Sequence, residues 1–202
     1  ITQGLKPFLN ARAKIDTMSQ TLKLGSERMN QSSKKVVNIA IMTVSDTRTE
    51  ADDKSGDTLV NRARNSGHHI VEKTIVTDDI DKIQGKLREW ITHPKIDVII
   101  ATGGTGVTGR DVTPEAFESV YEKSIPGFGE LFRWISYQNI KTSTIQSRAT
   151  AGVANGKILF ALPGSTGACK DGWDQIITHQ LDSTHKPCNL VELMPRMLEN
   201  KS

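Results

Sequence analysis

Asp97-Val98-Ile99-Ile100-Ala101-Thr102-Gly103-Gly104-Thr105-Gly106-Val107-Thr108-Gly109-Arg110-Asp111-Val112-Thr113-Pro114 is the stretch on which the fold turns. Asp97–Ala101 reads as a buried strand, because its apolar residues run on without the alternation of a half-exposed one. Gly103, Gly104, Gly106 and Gly109 follow within seven residues. Thr113-Pro114 then opens a helix, with Thr113 as its N-cap and Pro114 in its first turn. Strand, glycine-rich turn and helix in that order describe one unit of a parallel sheet covered by helices.

The pattern repeats on either side. Val36–Val44 is a second, almost continuous apolar run, ending in Ser45-Asp46 and an acidic, flexible stretch to Gly56. Asp57–Asn65 reads as a helix closed by Gly67, and Ile70–Val76 as a strand ending at Thr77-Asp78-Asp79. Ile80, Ile83, Leu87, Trp90 and Ile91 recur at helical spacing before His93-Pro94. Gly127–Tyr137 forms a further helix, with Phe128, Leu131, Phe132 and Ile135 as its apolar stripe. Ala151–Ala154 and Lys157–Leu162 flank Asn155-Gly156, the strongest short hairpin signal. A last helix carries Trp173, Ile176, Ile177 and Leu181, and no element is assigned from Asp182 onward. The order predicts one α/β domain, a mostly parallel sheet with a β-hairpin and helices on both faces.

Composition narrows the function. The 202 residues are 36% hydrophobic, with two cysteines, Cys169 and Cys188. That supports a real core and excludes a disulfide framework. No apolar run approaches the ~18 residues of a membrane helix. A soluble, cytoplasmic protein is expected. The net charge of +3 is misleading, because residues 1–35 carry seven of the 26 bases and only two of the 23 acids. The remainder is therefore slightly acidic, which argues against nucleic acid as a partner. Residues 1–35 read as a disordered basic extension.

The strand ends carry the chemistry. In open α/β sheets ligands bind beyond the carboxyl ends of the strands, and four ends here finish in Ser45-Asp46, Asp78, Gly103–Gly106 and Gly164-Ser165. A glycine cluster lets backbone N–H groups approach a phosphate. It is not a Walker loop, because no Gly-Lys-Ser/Thr follows. Asp111 just past the loop and Asp78 on a neighbouring strand end suit Mg²⁺, which one or two carboxylates hold together with phosphates and waters. The alternative for Asp111 is a plain helix cap. The five histidines show no metal spacing, and Cys169 fits a buried core residue better than a thiolate. No protein nucleophile presents itself.

Thr102–Ala116 resembles the corresponding motif of the molybdopterin-binding proteins of molybdenum cofactor biosynthesis, the MoaB/MogA family. Thr43-Val44-Ser45-Asp46, Asp53-Lys54-Ser55-Gly56, Pro126–Glu130, Gln146–Ala149 and Pro163–Thr166 agree with it, and Lys186-Pro187-Cys188-Asn189 looks like the B-type ending. The resemblance covers residues 36–190 and leaves 191–202 as a C-terminal tail. It implies a three-layer α/β/α fold assembling as homotrimers, often paired into hexamers. It also implies an activity: Mg²⁺- and ATP-dependent adenylylation of molybdopterin, with release of pyrophosphate. Asp78 and Asp111 match the family's catalytic, metal-positioning acids. Gly103, Gly104, Thr105 and Gly106 match its phosphate loop, and Ser45, Asp46, Asp53 and Ser55 the nucleotide loop beside it. Ser147, Arg148, Pro163, Gly164 and Ser165 fall on the pterin side. Some B-type members depart from the pattern at the acids and bind without catalysing, which makes a non-catalytic molybdopterin-binding or scaffold protein the alternative. This sequence keeps both acids.

Overall fold

Along β1 (Asn38–Val44) successive side chains point to opposite faces, and apart from Asn38 and Thr43 both sets are apolar. Ile39 and Ile41 enter one buried cluster, and Ala40, Met42 and Val44 enter another. A strand of this kind must be covered twice, which fixes a layered architecture. The structure is a computed structural model describing residues 34–199. Nearly all of the extension expected over residues 1–35 thus lies outside the described residues.

Six strands form one sheet in the order β2-β1-β3-β6-β5-β4. The others are β2 (His69–Val76), β3 (Val98–Thr102), β4 (Lys123–Ser124), β5 (Thr150–Ala154) and β6 (Lys157–Leu162). β1 pairs parallel with β2 and β3, and β3 parallel with β6. β5 returns antiparallel along β6, and β4 along β5. Asn155 and Gly156 both adopt left-handed φ, 48° and 74°, as a two-residue hairpin requires. One face of the sheet is covered by α1 (Lys54–Asn65), α4 (Pro126–Ile140) and α5 (Thr166–Gly172), through Leu59, Phe132 and Cys169. α2 (Ile80–Thr92) and α3 (Thr113–Glu118) cover the other through Leu87, Trp90 and Phe117. The three-layer α/β/α fold is as expected.

Several local expectations differ. α1 starts at Lys54, not Asp57, because the Asp53 carboxylate caps it by accepting from Gly56 N at 2.9 Å. Thr113 is the first residue of α3 and not its cap; Val112 stands at the cap position and makes no side-chain bond there. Asp111 does not cap the helix either. Leu131 is exposed although it shares the spacing of buried Phe128, Phe132 and Ile135. The last helix widens into a π turn over Trp173–Ile177. Beyond it, α6 (Leu190–Leu193) is capped by Asn189 and buries Val191 against the first core cluster. Its polar approach, residues 182–189, hides this packing from a periodicity search.

The register levels the strand ends. Val44 lies opposite Val76, Thr43 opposite Thr102, and Thr102 opposite Leu162. Four parallel strands therefore end side by side, and the chain crosses from one side of β1 to the other between β2 and β3. That is the switch point at which such sheets open a crevice.

Candidate functional site

A cavity of about 490 Å³ opens over these strand ends. Ser45 follows β1, Asp78 follows β2, Gly103 through Gly106 follow β3, and Pro163, Gly164 and Ser165 follow β6; all line it, together with Asp111 and Ser147. Eleven sequence-predicted residues are thereby brought to one wall. Asp46, Asp53, Ser55 and Arg148 are not among the lining residues.

Two of the glycines are dictated by crowding. Gly103 has φ +108°, and a Cβ there would lie 2.1 Å from the Val44 carbonyl oxygen. Gly104 has φ +60°, and its Cβ would meet Asp78 Oδ1 at 2.9 Å and Thr113 Oγ1 at 2.5 Å. The missing side chains let the loop backbone lie directly against the Asp78 carboxylate. The hydroxyls of Thr113 and Ser147 are buried without a hydrogen-bond partner among the described residues.

The two acids are held differently. Asp111 Oδ2 accepts from Thr108 N at 2.9 Å and from the Thr108 hydroxyl at 2.6 Å, closing the glycine loop on itself. Burial acts to raise its carboxyl, but the Thr108 bonds outweigh that and hold it below the ordinary carboxylate range. Asp78 is raised instead, first by burial and then by the charges of Asp46 and Asp111. The ionised Asp78 is thus penalised where it stands, the condition under which a bound cation is favoured. The donor set fits Mg²⁺: two hard carboxylates line one cavity, with the remaining coordination left to phosphate and water. Among the described residues no cluster of three or more metal-ligating side chains forms an all-protein cage.

The residues off the wall have other work. Asp53 is fully buried; it accepts from Thr43 Oγ1 at 2.8 Å and pairs with Lys73 at 3.0 Å. With its oxygens so occupied it cannot contact a nucleotide, and it positions the loop above instead. Ser55 is buried beside it and bonds Arg48. Arg48 reaches from this cluster to the Gly164 carbonyl at 2.7 Å, tying the β1 loop to the β6 loop. Arg148 lies behind the glycine loop, on a second cavity of about 860 Å³. It bonds the carbonyls of Gly106 at 2.7 Å and Asp111 at 2.6 Å and pairs with Glu115. Asp46 sits at the rim, ion-paired to Arg110 and accepting from Asp78 N at 3.1 Å.

Sequence reasoning missed the cavity's two cations, Arg48 and Arg110, and the wall supplied by Phe132, Ser136 and Ile140 of α4. Only the last left a signal, the four-residue spacing of those three positions. The Cys169 thiol is buried against Thr102 Oγ1 at 3.1 Å and pushed up to about 11 by burial. It is no nucleophile.

Comparison with known proteins shows the family. Residues 40–183 match the family described as "Probable molybdopterin binding domain". The chain is 48% identical over 151 residues to molybdenum cofactor biosynthesis protein B of Escherichia coli (strain K12), covering 75% of this chain and 89% of that one. A crystal structure of a molybdenum cofactor biosynthesis protein B superposes with a TM-score of 0.75 at 40% identity, covering 81% of this chain and 98% of that chain. The tungsten cofactor synthesizing protein MoaB from Pyrococcus furiosus gives 0.66 at 36% identity, covering 72% and 92%.

Proposed function

Because this chain belongs to the family of molybdopterin-binding domains and is a molybdenum cofactor biosynthesis protein of its B type, we propose that it is a molybdopterin adenylyltransferase. One observation carries the proposal: Asp78 and Asp111 line the same cavity as the glycine loop Gly103–Gly106. The substrates are ATP and molybdopterin. An oxygen of the pterin's terminal phosphate forms the new bond to the α-phosphorus of ATP, the bond to the β-phosphate oxygen breaks, and pyrophosphate leaves.

The protein supplies alignment and charge, not a nucleophile. The N–H groups of Gly104 and Thr105 are the ones offered to the triphosphate, since Gly103 N donates to the Leu162 carbonyl at 3.0 Å and Gly106 N to the Asp111 carboxylate. Asp78 and Asp111 would hold Mg²⁺, and the ion would supply charge neutralisation for the phosphates. Ser45 lies on the nucleotide side, while Ser147, Pro163, Gly164 and Ser165 orient the pterin. Arg148 keeps the loop in shape by binding its carbonyls from behind. We also propose a homotrimer, as the family resemblance implies; α4 and the turn after it expose Leu131, Trp134, Tyr137 and Ile145. Exposed apolar surface of that kind marks an interface, and light scattering at three times the chain mass is the expected result.

Incubation with molybdopterin, ATP and Mg²⁺ tests the reaction. Stoichiometric pyrophosphate release, dependent on molybdopterin and Mg²⁺ and lost in Asp111→Asn, is expected. Tight molybdopterin binding without ATP consumption would make the protein a carrier or scaffold instead.

A further inference from the structure

Of the two arginines on the cavity wall, one is committed and one is not. Arg48 is anchored in the scaffold by Ser55, the Gly164 carbonyl and the Asp53 carboxylate at 3.7 Å. Arg110 rises from the glycine loop with its side chain 66% exposed and pairs with Asp46. Both of its bonds, from Nε at 3.0 Å and Nη2 at 2.6 Å, go to the single oxygen Oδ2. An arginine and a carboxylate at their strongest span two oxygens with two parallel bonds. This pair is one-sided and exposed, so it is weak. Asp46 is itself fixed, because its other oxygen accepts from Asp78 N.

A polyphosphate entering the cavity would offer Arg110 more charge and a better-matched pair of oxygens than Asp46 does. We propose that Asp46 is a placeholder for a ligand phosphate, holding Arg110 at the rim until a polyphosphate draws the guanidinium inward. This rests on the polyphosphate reading above and deepens it. Arg110 becomes a phosphate contact, and Asp46 a positioning residue that the ligand displaces from its partner. The pair also bridges the β1 loop and the glycine loop, so binding would loosen that bridge as it fills the cavity.

A double-mutant cycle on affinity separates this from a merely structural bridge. Calorimetry with Mg·ATP, and with inorganic tripolyphosphate, gives Kd for wild type, Asp46→Asn, Arg110→Ala and the double variant. In wild type Arg110 must first leave Asp46, so Arg110→Ala costs only the net gain, about tenfold in Kd. In the Asp46→Asn background nothing competes, and the same substitution should cost about thirtyfold. A loss in that background equal to or smaller than in wild type overturns the placeholder, since a structural tie would already be broken. Intact pyrophosphate release alongside that result would leave the adenylylation reading standing. Failure of wild type to bind either probe overturns both.

Discussion

Asp53 lies in the loop after β1 and Asp78 in the loop after β2; the family resemblance gives both a ligand-binding role, yet the fold treats them in opposite ways. Asp53 is fully buried and surrounded by donors: Gly56 N, the Thr43 hydroxyl and Lys73. Burial pushes its carboxyl up, but those partners outweigh it and hold it low. Asp78 is less buried, yet burial and the neighbouring acids leave it raised. Asp53, buried with its bonds made inside the protein, holds structure. Asp78, whose charge the fold leaves uncompensated, suits the ligand role proposed for it above.

The largest effect that sharpens this contrast is on turnover. Asp78→Asn should lower the rate of pyrophosphate release by about 10²–10³, the cost of removing one preorganised electrostatic partner of a transition state. Thermal unfolding of the same variant should stay within a few degrees of wild type. Asp53→Ala should behave in reverse. It removes the α1 cap and the acceptor of the Thr43 hydroxyl, while Lys73 keeps Asp57 at 2.7 Å, for a loss of about 1–3 kcal/mol in chemical denaturation.

A pH series probes the same difference. A carboxyl lower in the fold than in the unfolded chain stabilises above the ordinary carboxylate range, and that contribution disappears as pH falls through the depressed value. Wild type should therefore lose stability on acidification over that window, and Asp53→Asn should show a shallower slope there. Asp78 carries the opposite sign, since its raised carboxyl disfavours the ionised fold at neutral pH. Asp78→Asn should raise the melting temperature slightly, by a fraction of the ~1.4 kcal/mol that one pKa unit represents. This is the smallest effect, and the one most specific to a site kept strained for function.

What was legible in the sequence was local or strongly periodic. β3 and β6 are continuous apolar runs, and Asn155-Gly156 forces its own turn through two left-handed residues. The glycine loop and its flanking acids were legible because crowding against Val44 and Asp78 leaves glycine no substitute. Less accessible were residues whose role depends on where a distant segment returns. Asp53 was read with the nucleotide loop because nothing in the sequence shows Lys73 reaching it across α1. Arg148 was placed on the pterin side, whereas the turn before β5 delivers it behind the glycine loop. Arg48 and Arg110 lie in polar loops without period, so nothing marked them as the cavity's cations. β4, two residues long, is too short for any pattern.

One paired measurement addresses the central claim: pyrophosphate release and thermal unfolding, recorded together for Asp78→Asn and Asp53→Asn against wild type with molybdopterin, ATP and Mg²⁺. The expected result is a folded but inactive Asp78→Asn and a destabilised Asp53→Asn. Turnover at the wild-type rate in a folded Asp78→Asn would contradict the assignment of the cavity acid to catalysis.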